Sequence, residues 1–235
     1  MESRKLESGV FQQFKDLIYA ESGIVLTEEK RALLLNRIGK RLRALGISTP
    51  EEYLHFIAQD STRNELVNLL NAISTNVTYF YREKAHFEFL EEIFRRWKEE
   101  RRPKVRVWCA AASTGQEPYT INITAAENLD LSFTDYKLLA TDICTEVLET
   151  AHRGIYSQQV MEPVPKNIRD RYFERIAVGG EECYRVVESL RKLAIFRVLN
   201  LAKFPYPLKG GHDIIFCRNV MIYFDRNLRK KIVDE

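Results

Sequence analysis

Polar residues able to do chemistry stand at points where apolar runs of this chain stop. The stretch Asp213-Ile214-Ile215-Phe216-Cys217-Arg218-Asn219-Val220-Met221-Ile222-Tyr223-Phe224-Asp225 has strand character as far as Cys217, then breaks into Arg218-Asn219. In an open α/β sheet the ligand crevice lies outside such carboxyl strand ends. Asn219 can donate and accept hydrogen bonds to a ligand there, or form a turn. Tyr223, four residues on, shares a face with Asn219 if a helical turn begins, and is otherwise core.

Two further stretches carry similar signals. Val105-Arg106-Val107-Trp108-Cys109-Ala110-Ala111-Ala112-Ser113-Thr114-Gly115-Gln116-Glu117-Pro118-Tyr119 reads as a strand, a small-residue turn and a helix start. Such a turn lets backbone approach a ligand, and the helix offers its first amides to polar groups. Glu117 falls in the first helical turn, either as a ligand-binding acid or as a helix-dipole acid worth at most about 1 kcal/mol. Asp142 closes another strand, where an acid is equally suited to the ribose hydroxyls of an adenosyl ligand or to capping a helix over Thr145–Arg153. Thr75-Asn76-Val77-Thr78-Tyr79-Phe80-Tyr81-Arg82-Glu83 sets Asn76, Thr78 and Arg82 among aromatics. It reads as a lid or crossover segment, or as an amphipathic helix with Phe80 inside and Arg82 in water.

The elements that must position these residues change character along the chain. From Val10 to about Leu90 apolar residues recur at helical spacing, with Phe11, Phe14, Leu17 and Ile18 in one stripe and Leu34, Ile38, Leu42 and Leu45 in another. Ser22-Gly23 and Gly46-Ile47-Ser48-Thr49-Pro50 punctuate them, the second ending in a Pro-Glu-Glu helix start. From Lys104 short apolar runs alternate with helical stretches, the pattern of a mostly parallel sheet flanked by helices. Arg171–Ile176, Tyr184–Val187 and Ala194–Val198, around Gly179-Gly180, read as a small antiparallel insert spanning about 157–200. The expected division is a helical domain with its connecting segment over 1–88 and a sheet domain over 89–235.

Composition narrows the function. The 235 residues are 45% hydrophobic, enough for a sizeable core. A formal net charge of +3, from 36 Lys plus Arg against 33 Asp plus Glu, argues against a nucleic-acid binder. No apolar run approaches the roughly 18 residues of a membrane span, and the first residues lack a signal-peptide core, so a cytoplasmic location without membrane insertion is expected. Cys109, Cys144, Cys183 and Cys217 form no Cys-x-x-Cys pair, and His55, His86, His152 and His212 share no ligand spacing. Disulfides and a metal site are not expected.

Taken together, the three polar stretches, with Leu138-Leu139-Ala140-Thr141-Asp142-Ile143, Ala151-His152-Arg153-Gly154-Ile155-Tyr156 and Arg171-Tyr172-Phe173, resemble the CheR-type chemoreceptor glutamate methyltransferases. The resemblance runs over roughly residues 10 to 235. It implies a small all-α domain followed by a Rossmann-like methyltransferase sheet of the α/β class, with a small antiparallel β insert. It also implies S-adenosylmethionine as cofactor, S-adenosylhomocysteine as product, and glutamate side chains of bacterial chemoreceptors as acceptors. The family continues past the equivalent of Glu235 with more helix and two strands around a Pro-Gly-Gly turn, so the C-terminal strands are expected to be missing here.

By the same resemblance, Asn76, Thr78, Arg82, Glu117, Asp142, Asn200, Leu201, Arg218 and Asn219 are expected to bind the cofactor, and Arg82 and Tyr223 to orient the acceptor glutamate. That chemistry needs no His or Cys base, because a glutamate is already ionised near neutral pH. Lys30, Arg37, Lys40 and Arg41 fall on one arc of a helix, either as a solvated face or as a strip that docks the acidic cytoplasmic helical region of the receptor. A receptor C-terminal tail is a further expected partner, at the β insert. The rival readings are a truncated, non-catalytic module that binds cofactor or receptor, and a nicotinamide-dependent oxidoreductase, which the single-glycine turn disfavours.

Overall fold

A computed structural model describes residues 2–74 and 76–235, with side chains from residue 9 onward; Thr75, which opens one of the polar stretches, lies outside the described residues. The chain divides into two units. The first holds Met1–Thr75, Asn200–Pro207 and Asn219–Glu235, and the second holds Asn76–Leu199 and Leu208–Arg218.

The first unit is helical, with α1 (Glu2–Ser22), a 3-10 turn (Glu28–Lys30), α2 (Arg31–Leu45), α3 (Pro50–Gln59) and α4 (Asn64–Ile73). Its core is built from the apolar stripes: Phe11, Phe14, Ile18, Leu34 and Ile38 are buried, together with Tyr53, Ile57 and Leu69. Burying each such side chain stabilises the fold by about 1.5–3 kcal/mol. Leu45, the last residue of the second stripe, is exposed. Thr49 starts α3 with a capping box, its hydroxyl accepting from the Glu52 amide while the Glu52 carboxylate accepts from the Thr49 amide.

The second unit opens with an irregular segment and α5 (Ala85–Glu99), and then alternates strand and helix: β1 (Lys104–Ala110), α6 (Gln116–Asn128), β2 (Asp135–Asp142) and α7 (Thr145–Arg153). After β3 (Ile155–Ser157) come α8 (Lys166–Tyr172), β4 (Phe173–Val178), β5 (Glu181–Val186), α9 (Glu188–Arg191), β6 (Ala194–Val198) and β7 (Ile214–Phe216). The main sheet has the order β6-β2-β1-β7 with every pairing parallel. A separate antiparallel sheet has the order β3-β5-β4. The apolar faces of α5 and α6 close over the main sheet, with Phe87, Leu90, Phe94 and Ile121 against Val105, Val107 and Leu138.

Ala194–Val198 departs from its expected place in the insert. It pairs parallel with β2, from Leu138↔Ala194 to Asp142↔Val198. Its β-prone composition gave the strand correctly but carried no mark of its partner; the third strand of the insert is instead Ile155–Ser157. In the first unit the chain ends with a 3-10 turn (Met221–Tyr223) and α10 (Arg226–Asp234), whose N-cap Asp225 accepts from the amides of Asn227 and Leu228.

Candidate functional site

The turn after β1 is bent by residues that adopt positive φ without being glycine, Ala111 at 130° and Ser113 at 48°. Its partners hold it there. The amides of Ala111 and Ala112 both donate to the Thr141 carbonyl at 2.9 Å, and the Ser113 amide donates to Asp142 Oδ2 at 2.9 Å. Gly115 (φ 97°) is required by packing rather than by ligand approach, since a Cβ there would stand 2.7 Å from the Tyr156 hydroxyl and 2.9 Å from Ala151 Cβ.

Asp142 does not cap α7, whose N-cap position is Cys144. It turns back instead, its Oδ1 accepting from the Cys144 amide at 2.9 Å while Oδ2 takes Ser113. Each carboxylate oxygen keeps a lone pair for a further donor. Burial raises its pKa, against the lowering effect of those backbone donors.

Glu117, in the first turn of α6, is largely buried beside Arg218, the two side chains being 12% and 10% exposed. Arg218 Nη1 lies 2.8 Å from Glu117 Oε2, and the Cys109 thiol donates to Oε1 at 3.2 Å. Burial raises the Glu117 pKa, opposed chiefly by the charge of Arg218. Arg218 also donates from Nη2 to the Arg82 carbonyl at 2.5 Å and to Glu83 at 3.2 Å, and its guanidinium lies 5.2 Å from the Phe87 ring. Its Nε is buried without a hydrogen-bond partner.

The segment from Asn76 to Glu83 is not a helix. It runs irregularly into a turn, with Tyr81 and Glu83 at positive φ, and is anchored by Phe80, which is fully buried edge-on to Tyr156 and Phe173. Arg82 folds the segment on itself by donating to the Val77 carbonyl at 2.8 Å, with Thr78 half-buried in the loop so closed. The Asn76 carbonyl accepts from the Ser113 hydroxyl at 3.1 Å, and its side-chain amide reaches Cys144 Sγ at 3.8 Å. Six of the expected residues, Asn76, Thr78, Arg82, Glu117, Asp142 and Arg218, therefore belong to the second unit. Glu117, Arg218 and Arg82 form one bonded chain, and Asp142 and Asn76 meet through Ser113.

The other four belong to the first unit. Both ends of the Asn200 amide are engaged, by the Glu21 carbonyl at 2.6 Å and the Ala202 amide at 2.9 Å. Leu201 is buried, and its carbonyl accepts from the Tyr206 hydroxyl. Asn219 has φ 56°, the left-handed conformation that Asn tolerates. The Tyr223 carbonyl accepts from the Val25 amide at 2.8 Å, and the Lys30 ammonium lies 4.7 Å from the Tyr223 ring centre.

On the basic arc, Arg37 donates to the carbonyls of Ile73 and Ser74 at the end of α4, and Arg41 is paired to Glu65; Lys40 is exposed. Cys109, Ser113 and Glu65 have no role among the residues the sequence singles out for the site. Glu65 has the clearest signal in hindsight, an acid at a buried position of the largely apolar helix α4. Among the described residues no group of acids, histidines and cysteines could hold a metal ion, and no helix is long and apolar enough to cross a membrane.

A strand-end acid, Asp142, with unused acceptor capacity and the largely buried Glu117–Arg218 pair suit a polar, partly cationic ligand bearing hydroxyls. Comparison with known proteins agrees with that chemistry. Residues 10–74 match the family described as "CheR methyltransferase, all-alpha domain", and residues 76–235 match "CheR methyltransferase, SAM binding domain". Chemotaxis protein methyltransferase of Salmonella typhimurium is 41% identical over 228 residues, covering 97% of this chain and 78% of that protein. The Escherichia coli protein of the same name is 40% identical over 228 residues, with 97% and 78% covered. Chemotaxis protein methyltransferase 2 of Pseudomonas aeruginosa is 39% identical over 224 residues, with 95% and 79% covered.

Proposed function

The chain belongs to the CheR methyltransferase family and is an S-adenosylmethionine-dependent methyltransferase of chemotaxis, and we propose that it esterifies glutamate side chains in the cytoplasmic helical region of chemoreceptors. The observation that carries this reading is the pair of largely buried acids, Glu117 in the first turn of the helix after β1 and Asp142 at the carboxyl end of the neighbouring strand β2. Their chemistry fits the cofactor. Asp142 has acceptor capacity for ribose hydroxyls, and the Glu117–Arg218 pair presents both signs of charge to a zwitterionic amino-acid end. When bound, S-adenosylmethionine supplies an electrophilic methyl group on a sulfonium.

The rest of the work is positioning. Thr78 lies in the loop that Arg82 closes and Asn76 precedes it, held by Ser113, and we assign both to cofactor binding with Arg82, Glu117, Asp142 and Arg218. Asn200, Leu201 and Asn219 receive the same assignment from the family resemblance. Arg82 and Tyr223 are assigned to orient the acceptor carboxylate, which arrives ionised and needs no proton removed. An arrangement that excludes water without gripping the carboxylate too tightly favours transfer over ground-state binding. The protein then works in the cytoplasm, where the acceptor region lies. Lys40 is assigned to docking of the acidic receptor helix, together with Lys30, Arg37 and Arg41 from the same expected basic arc, and the antiparallel sheet to a receptor tail.

Transfer of radiolabelled methyl from S-adenosylmethionine to a panel of receptor cytoplasmic fragments tests the reading. Base-labile label on glutamate is the expected result. Cofactor binding without transfer to any fragment would instead support a non-catalytic binding module.

A further inference from the structure

Lys30 ends the short turn Glu28–Lys30, closed by its own amide donating to the Thr27 carbonyl at 3.0 Å. Its ammonium lies 4.7 Å from the centre of the Tyr223 ring. A cation over an aromatic face is attracted by the ring quadrupole. The same stretch of chain holds the tyrosine in two other ways. Val25 donates its amide to the Tyr223 carbonyl at 2.8 Å, and the Tyr19 hydroxyl donates to Asp225 at 2.5 Å, at the N-cap of α10. The tyrosine's backbone, one face of its ring and the helix that follows are thus fixed from residues 19–30. Phe224 next to it is buried and anchors the turn from inside.

We propose that Lys30 is a positioning residue for methyl transfer, its ammonium holding the Tyr223 ring so that the phenol points in one direction toward the acceptor carboxylate. The proposal rests on the reading of Tyr223 given above, and assigns Lys30 a task that docking of an acidic helix does not require. The two tasks move different constants. A docking charge acts on encounter, so its loss raises KM for receptor at low salt and the deficit shrinks as salt screens it. A positioning contact acts on the rate of the bound complex, so its loss lowers turnover at saturation and salt leaves the deficit in place.

The test is single-turnover methyl transfer at saturating cofactor and receptor fragment, at low and high salt, for the wild-type chain, Lys30→Met and Lys30→Arg, each also with Tyr223→Phe. Lys30→Met is expected to lower the rate constant about three- to fivefold, a cation–π-sized effect, equally at both salt concentrations. Lys30→Arg, which keeps a cation able to stack on the ring, is expected to restore the rate to within about twofold. With Tyr223→Phe there is no hydroxyl left to aim, so Lys30→Met is expected to add no further loss. A Lys30→Met deficit confined to KM and erased by salt, or an unchanged rate in an active protein, overturns the proposal alone. Absence of transfer by the wild-type chain overturns the function on which it rests, and the proposal with it.

Discussion

Arg41 grips Glu65 with two nitrogens, Nε at 2.9 Å and Nη2 at 2.7 Å, while the Tyr53 hydroxyl donates to the same carboxylate at 2.6 Å. The pair ties α2 to α4 inside the helical unit, with Glu65 only 5% exposed. Arg41→Ala is expected to cost about 2 kcal/mol, less than the roughly 3–5 of a fully buried pair because Tyr53 and Asn68 still serve Glu65. Arg37→Ala, which strips two carbonyls of their donor, should cost about 1 kcal/mol. Chemical denaturation measures both. Lys40→Glu should leave stability within about 0.5 kcal/mol, making Lys40 the residue with which to read docking.

Glu65 also sets an acid limit. Burial pushes its carboxyl up, but Arg41, Asn68 and Tyr53 together hold it below its ordinary value of 4.5. A depressed folded-state pKa contributes stability that is present above the unfolded value and is lost as pH falls through the folded one. The melting temperature should therefore drop as the pH goes below about 4.5, and Glu65→Gln should flatten that part of the profile while lowering the plateau at neutral pH.

Asp142 carries the opposite shift, raised by burial. Its charged form is the better acceptor for ribose hydroxyls, so cofactor affinity should begin to fall at a higher pH than an ordinary aspartate would give. Asp142→Ala should weaken binding by about 1.5–3 kcal/mol. It should also loosen the turn at Ser113, which Asp142→Asn, retaining one acceptor, holds in part. Calorimetry across pH, beside a thermal melt of each variant, separates the two effects. Unchanged affinity in folded Asp142→Ala would remove the ribose assignment.

Gly115→Ala is expected to destabilise the chain by about 2–4 kcal/mol, from a strained φ and a collision with Ala151 and Tyr156. Cofactor affinity measured well below the melting temperature should fall far less than for Asp142→Ala, because the glycine serves packing between the turn and α7.

Much of this was legible in the residues. Helical spacing marked Phe11, Phe14, Ile18, Leu34 and Ile38 as core, and Thr49-Pro50-Glu51-Glu52 announced the start of α3. The strand-turn-helix pattern marked Glu117 in a first helical turn and Asp142 and Arg218 at the ends of apolar runs, as the structure places them. Partnership was not legible. Ala194–Val198 is recognisably β, yet only the assembled sheet shows that β2 takes it in parallel. Arg37 and Arg41 sit on the same arc as Lys40, but helix periodicity cannot reveal that Ile73, Ser74 and Glu65 come from elsewhere in the chain to engage them. The glycine of the first turn likewise looked like room for a ligand, because Ala151 and Tyr156 are some 40 residues away in sequence.

The two hydrogen bonds that the Ala111 and Ala112 amides donate to one carbonyl of β2, with the Ser113 amide on the next residue's side chain, make the turn after β1 and the end of β2 a single rigid frame. Three consecutive amides are committed before any ligand arrives, so this part of the pocket loses little conformational entropy on binding. The heat capacity change on cofactor binding should then reflect the apolar surface covered, without the larger contribution of a segment that folds around its ligand.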